Sequence, residues 1–140
     1  MPATPIVAQS FAEMQATMGV SIVADACIAN APDFLNGVGV LEDAALQKDG
    51  DVWIGGNGAL AISFHENDEI AACIATITDT EPRLVFDRLV TAMRDNDPNT
   101  QFGQIGGAPV IRSEVNGTLV FGSIQPSPTG ITVLIRSPIN

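Results

Sequence analysis

The sequence predicts an α+β fold: a mostly antiparallel sheet with an N-terminal helix and one central amphipathic helix packed on one face. Two observations predict it. A capped apolar segment near the start and a second apolar segment of helical period are each followed by apolar runs separated by turn residues. This order favours helices on one face of an antiparallel sheet. At 140 residues the chain is expected to form a single domain over 1–140, with 1–9 as a flexible arm.

The first helix is predicted at about residues 10–18. Ser10 and Glu13 have the spacing of a capping box, in which each side chain bonds the other residue's backbone amide. A stripe at i, i+3 and i+7 is expected to face the core, with a partner-binding groove as the alternative. Gly19 is expected to end the helix. The stripe consists of Phe11, Met14 and Met18.

The stretch Val20–Leu46 is ambiguous. Ser21–Ala29 is compatible with either a strand or a second helical piece. Pro32 and two glycines interrupt the residues after it. Glu42–Gln47 is expected to form one helical turn.

From Asp49 the pattern is that of strands. Asp49–Gly50 predicts a turn, and Val52–Ile54 a short strand. Residues 59–64 and 70–77 predict a hairpin around Glu66–Glu69. A corner at 67–68 puts Cys73 on the face of Leu60, Ile62 and Phe64, which buries its thiol.

Cys27 and Cys73 are the two cysteines, and both have apolar neighbours. Two cysteines make no disulfide framework, so we expect buried free thiols. Free thiols favour a reducing compartment, which predicts cytoplasmic localisation, with a virion as the alternative.

The central helix is the clearest element. Asp79 or Thr80 is expected to cap it, Glu81 and Pro82 to lie in its first turn, and the helix to continue to about Arg94. Six apolar residues define a broad core-facing side. They are Leu84, Val85, Phe86, Leu89, Val90 and Met93.

Asn116–Gly117 predicts a type I′ corner for a hairpin over residues 110–124. In that register Arg112 lies opposite Phe121, where its guanidinium can stack on the ring. Asn116 also starts a glycosylation sequon, but a tight hairpin corner explains the residues more simply. Ile131–Arg136 predicts a last strand, and the sequence itself shows no internal repeat.

Charge is divided unevenly along the chain. Residues 1–82 carry twelve acidic residues and one lysine, a net charge of −11, whereas residues 83–140 carry four acidic residues and five arginines, a net charge of +1. Together they give the total of −10. Few basic residues and few aromatic rings argue against nucleic-acid binding. The chain also lacks an apolar run long enough to span a membrane.

The motifs that carry chemistry are weak. His65 is the only imidazole and is expected to be a solvated turn residue rather than a catalytic base. One histidine and two cysteines cannot supply four zinc ligands. The acidic clusters lack the spacing of an EF-hand, and Gly55–Gly58 lacks the lysine and helix of a phosphate-binding loop. We therefore expect no enzyme activity, cofactor or metal.

The run from Asp51 to Gln125 resembles in pattern the small acidic type III secretion chaperones. The shared order is an N-terminal helix, three strands, an amphipathic helix and a Gly-Gly element, Gly106–Gly107, before a hairpin. The resemblance implies a homodimer that holds a segment of a partner protein. The predicted last strand departs from the helix that usually ends this family.

These observations predict a non-enzymatic, chaperone- or adaptor-like protein that holds a partner polypeptide, either basic or extended, in an apolar groove or on a sheet edge. A homo-oligomer is expected, with neither nucleic acid nor membrane as partner. The alternative is a phage-encoded capsid or tail protein, or an acidic anti-defence inhibitor that mimics nucleic acid. The candidate partner-binding residues are Trp53, Leu84, Arg88, Arg94, Arg112 and Phe121.

Overall fold

One antiparallel sheet of eight strands forms the centre of the protein, and the helices pack on one of its faces. The computed structural model describes residues 10–139, so the predicted arm at residues 1–9 lies outside the described residues. The predicted α+β fold class is confirmed. The helices are α1 (Phe11–Ala26), α2 (Val38–Asp43) and α3 (Pro82–Asn96). The strands are β1 (Gln47–Asp49), β2 (Val52–Gly55), β3 (Leu60–Glu66), β4 (Ile70–Ile77), β5 (Gln101–Ile105), β6 (Ala108–Val115), β7 (Thr118–Ser127) and β8 (Gly130–Pro138).

The strand order reveals two halves of similar plan. The order β1-β2-β3-β4-β8-β7-β6-β5 places two four-stranded meanders side by side, joined where β4 pairs with β8. A long helix precedes each meander, α1 in the first half and α3 in the second, and the two helices pack against each other. The architecture therefore repeats although the sequence shows no repeat.

The first helix is longer than predicted. Glu13 N donates to Ser10 Oγ at 3.1 Å, which confirms the predicted cap, but α1 continues through Gly19 to Ala26. A Cβ on Gly19 would lie 2.6 Å from Ile77 Cδ1 of β4. Gly19 therefore permits close packing of helix on sheet and is not a stop signal.

The predicted core face of α1 is wrong. Phe11 and Met18 are 62% and 59% exposed, and Met14 is exposed as well. Small and branched residues of α1 face the sheet instead, because only they allow this close approach. These buried residues are Ala16, Gly19, Val20, Val23 and Ala26.

Residues 27–46 connect α1 to β1. Of the two alternatives for residues 21–29, the helical one is correct: α1 continues to Ala26, and a 3₁₀ turn covers Ile28–Asn30. A second 3₁₀ turn, Phe34–Gly37, leads directly into α2. The helical turn predicted at 42–47 is therefore displaced, since α2 ends at Asp43 and β1 begins at Gln47.

The predicted free thiols are also wrong. Cys27, at the C-terminal end of α1, and Cys73, on β4, form a disulfide with both residues fully buried. The predicted face is confirmed, because Cys73 lies opposite Phe64 on the side of the buried Leu60 and Ile62. The predicted corner at 67–68 is wrong by one residue: Asn67 pairs with Ile70, so the corner is at 68–69 and the register is shifted by two. The same face receives α1, so the helix end and the strand meet there.

The central helix differs from its prediction at the ends. Glu81 is the N-cap and Pro82 the first residue, so neither Asp79 nor Thr80 caps α3. The Thr80 hydroxyl donates to Ala12 O of α1 at 2.7 Å instead. The predicted apolar face is confirmed: three residues are fully buried and three are half-buried against the core. The buried ones are Val85, Leu89 and Met93, and the half-buried ones are Leu84, Phe86 and Val90.

The hairpin over β6 and β7 has the predicted register. Val115 lies opposite Thr118, and Arg112 opposite Phe121, with Asn116 and Gly117 at positive φ. The Asn116 amide donates to Ala29 O at 3.0 Å and to Ala31 O at 3.1 Å. The corner residue of the second half thus holds the connection of the first half.

Candidate functional site

The two edges of the sheet differ in length and chemistry. At one edge, β1 has three residues, two of them the charged Lys48 and Asp49. At the other edge, β5 (QFGQI) has five residues, all exposed and none charged. A strand edge presents unpaired backbone N–H and C=O groups, and natural edges are usually protected by short length or charge. By this criterion β1 is protected and β5 is not.

β5 presents an apolar side chain on each face of the sheet. Phe102 is 52% exposed and pairs with the buried Ile111, so it points to the helical face. Ile105 is 57% exposed, and its odd spacing from Phe102 places it on the opposite face. An added strand would therefore meet apolar contacts on both sides of its backbone.

Two of the predicted partner-binding residues lie beside β5. The guanidinium carbon of Arg94, in the last turn of α3, is 5.2 Å from the centroid of the Phe102 ring. Arg112 of β6 is exposed and lies opposite Gln101. The structure thus places one arginine on each face of this edge. The cation–ring contact within residues 10–139 is made by Arg94 with Phe102, rather than by the pair predicted from the hairpin register.

Phe121 lies one strand further in, between Arg112 and Arg136, on the face opposite the helices. It is half-buried. Three of the six candidate residues, Arg94, Arg112 and Phe121, therefore gather around the β5 side of the sheet.

The other three candidates lie elsewhere. Leu84 is half-buried against the core on α3, and Trp53 of β2 likewise packs against the core, opposite Ile62. Arg88 is exposed in a cleft of about 260 Å³ between α1 and α3, near Asp25. These residues form no common surface with β5.

The residues considered for catalysis, His65 and the two cysteines, lie on the sheet and at the end of α1. His65 lies in β3 rather than in the predicted turn, and its Nε2 is 2.9 Å from Ser63 Oγ on the open face of the sheet. Both cysteine sulfurs belong to the disulfide, so neither is a thiolate nucleophile. Among residues 10–139, no three His, Cys, Asp or Glu side chains are grouped to hold a metal ion.

Neither edge strand was predicted from the sequence. For β5 the signal is faint, because its two apolar residues surround a glycine and lack the alternation of a half-buried strand. The sequence signal that indicates β5 is the pair Gly106–Gly107. Both residues have positive φ, as glycines at a hairpin corner do. A strand paired back across that corner could have been inferred from it.

No helix in the described part of the chain is long and apolar enough to cross a membrane. The sequence matches no protein-family model and no curated protein.

Proposed function

We propose that this protein is a non-enzymatic, chaperone- or adaptor-like protein that holds an extended segment of another polypeptide as an added strand at β5. The observation that carries this proposal is the contrast between the edges: β5 is uncharged and fully exposed, whereas β1 is short and charged. Strand addition takes its affinity from main-chain hydrogen bonds and its specificity from alternate side chains.

The surroundings of β5 support an occupant with an apolar residue at alternate positions. Phe102 and Ile105 offer apolar contact on opposite faces. The Arg94 guanidinium packs on the Phe102 ring, which orients the ring but leaves it about half exposed. Gly103, between them, has nothing within 4 Å of the place where a Cβ would lie, so no neighbouring side chain covers β5 at this position.

A display library of random twelve-residue peptides tests the proposal. We expect the selected peptides to alternate apolar and polar residues and to lose binding when Ile105 is replaced by Lys, because the lysine removes the apolar contact with the adjacent side chain of the added strand. Met18→Lys is the matched control, since Met18 is 59% exposed and lies on α1. Selected peptides that bind Ile105→Lys as well as the unchanged protein would contradict strand addition at β5.

A second candidate, the structural protein of a phage particle, is favoured by the disulfide. Disulfides persist in oxidising surroundings and on virion surfaces, and are rare in the cytosol. Cytoplasmic localisation was expected because the two thiols were expected to be free. The disulfide removes that reason. Electron microscopy of the oxidised protein tests this candidate: rings or lattices support it, and isolated particles of one or two chains contradict it.

A further inference from the structure

The face of the sheet opposite the helices is uncovered within residues 10–139 and has an apolar centre. Ile74 and Leu134 are half-buried there, in the two strands where the halves of the sheet meet. The hydrophobic core on the helical side does not include them. Val110 belongs to their row because it lies one residue beyond the pair Ile111 and Gly122. The row runs across six strands as Val52, Ser63, Ile74, Leu134, Ser123 and Val110.

This central row has the same order of residue types from both edges. From the β4–β8 boundary outward, each half presents one large aliphatic residue, then a serine, then a valine. A two-fold axis parallel to the strands at that boundary would therefore place Ile74 on Leu134 and Ser63 on Ser123 of another copy. Closed dimers need such a self-complementary surface.

We propose that a second copy of this chain docks on this open face, with the two sheets packed face to face and the helices outward. Aligned packing of two sheets is a standard way to bury such faces. The central row carries no charge, and Arg136 lies in the next row of the face, opposite Ala72 and Phe121. Protein interfaces are depleted of most charged residues at their core but enriched in arginine.

The margins of the face support the same arrangement through their charge. At the β1 edge, Asp49 pairs with Val52 and is level with the central row, and the Gly50–Asp51 turn beyond it is level with the row that contains Arg112 near the β5 edge. The two-fold axis lays one edge on the other, so the acidic turn of each copy faces Arg112 of the second copy. The opposite choice, an axis perpendicular to the strands, would lay the two acidic edges on each other, and like charges in contact oppose association.

The area of the face is sufficient. Six strands about 4.8 Å apart and three rows about 6.8 Å apart span roughly 29 by 20 Å, or on the order of 600 Å² per copy before side-chain relief is counted. Specific interfaces need about 1,000 Å² in total over both partners. Two such faces exceed that requirement, and the outer backbone edge of β5, which points sideways out of the sheet, still has no neighbouring strand.

Sedimentation equilibrium of the purified protein tests the dimer. At about 10 μM, a concentration at which a dimer with a dissociation constant of about 1 μM is mostly associated, we expect a particle of two 14.6 kDa chains. Leu134→Lys places a charge at the centre of the interface and is expected to weaken the dimer at least about a hundredfold. Ser63→Arg is a second central variant, and Met18→Lys on the helical layer is the control, which should leave the dimer unchanged.

A charge exchange tests the orientation. Asp51→Lys and Arg112→Glu are each expected to weaken the dimer about tenfold, because each contact occurs twice by symmetry. The double variant should return to within about threefold of the unchanged protein. Circular dichroism and thermal unfolding check that every variant is folded. A monomeric unchanged protein, or a dimer that survives both Leu134→Lys and Ser63→Arg, would overturn the proposal.

Discussion

The two halves of the sheet follow the same plan but secure their helix-to-strand connections differently. In the first half, residues 27–46 lead from α1 to β1 through two 3₁₀ turns and α2, and the Cys27–Cys73 disulfide ties the start of this connection to β4. In the second half, residues 97–100 make the whole connection from α3 to β5, and hydrogen bonds alone hold it. The half with the longer connection also has the protected edge.

Because of this difference, one half of the architecture can supply stability while the other supplies an exposed binding edge. The first half gains stability from a covalent link and from added packing around Phe34 and Leu41, both buried. The second half leaves β5 exposed and is secured by Asp97 and Thr100. Binding surfaces are commonly drawn from the less protected part of a fold. Unfolding measurements on variants of each half test whether the halves differ in this way.

The largest expected effect follows loss of the disulfide. Its cysteines are separated by 46 residues, for which the chain-entropy model gives a stabilisation of about 4 kcal/mol. Reduction with dithiothreitol should therefore lower the free energy of unfolding in urea by about that amount. The double variant Cys27→Ala, Cys73→Ala should be destabilised and should not respond to dithiothreitol. An unchanged unfolding curve on reduction would show that the first half does not depend on its covalent link.

The connection in the first half also contains a glycine that packing requires. A Cβ on Gly37 would overlap the carbonyl oxygen of Ala26, a backbone atom that cannot move aside. Gly37→Ala should reduce the free energy of unfolding by about 3 kcal/mol, as overpacking a buried site does.

Gly39 is the matched control for this variant. It lies two residues further along and has nothing within 4 Å of a built Cβ. Gly39→Ala, inside α2, should be neutral or stabilising by up to about 1 kcal/mol. Equal losses in the two variants would show that the tight contact at Gly37 does not hold the connection.

The sequence predicted elements whose signal is local. The Asn116–Gly117 corner fixes its hairpin register, and the period of Val85, Leu89 and Met93 identifies α3, because a turn or a helical face is decided by residues close in sequence. The prediction for Gly19 is wrong for the opposite reason. Its role depends on Ile77, which is distant in sequence, and that contact overrides the glycine's low helix propensity.

The candidate site was predictable only in part. Arg94 and Arg112 are conspicuous because basic residues are few, and both lie beside β5. The edge strand itself was not predicted, since exposure on both faces removes the alternation by which strands are recognised. The disulfide was not predicted because pairing of Cys27 with Cys73 depends on how α1 packs on β4.

Asn116 is expected to have an intermediate effect, because it connects the halves. Its side-chain amide donates to Ala29 O and Ala31 O, and hydrogen bonds contribute about 1 kcal/mol each. Asn116→Gly keeps the positive φ of 54° without strain and should lose about 2 kcal/mol of unfolding free energy. Asn57→Gly is the control, since Asn57 has a φ of 58° in an exposed turn and should lose less than about 0.5 kcal/mol.

The smallest expected effect lies in the connection of the second half. Asp97 is half-exposed, and its two carboxylate oxygens accept from Asn99 N at 2.9 Å and from Glu114 N at 2.8 Å. Asp97→Ala removes both bonds and should lower the free energy of unfolding by about 1 kcal/mol, because water replaces an acceptor at a half-exposed site. Asp97→Asn keeps a single acceptor oxygen and should lose about half as much.

Asp95 provides the control for this prediction. It is an exposed carboxylate in the last turn of α3, where the helix dipole disfavours negative charge, so Asp95→Ala should be neutral or slightly stabilising. Urea unfolding of the three variants checks the order. A loss at Asp97 as large as that on reduction of the disulfide would mean that the second half is secured as firmly as the first. The connection that leads to the exposed β5 edge would then be as stable as the connection in the first half. The two halves would differ only in the length and charge of their edge strands.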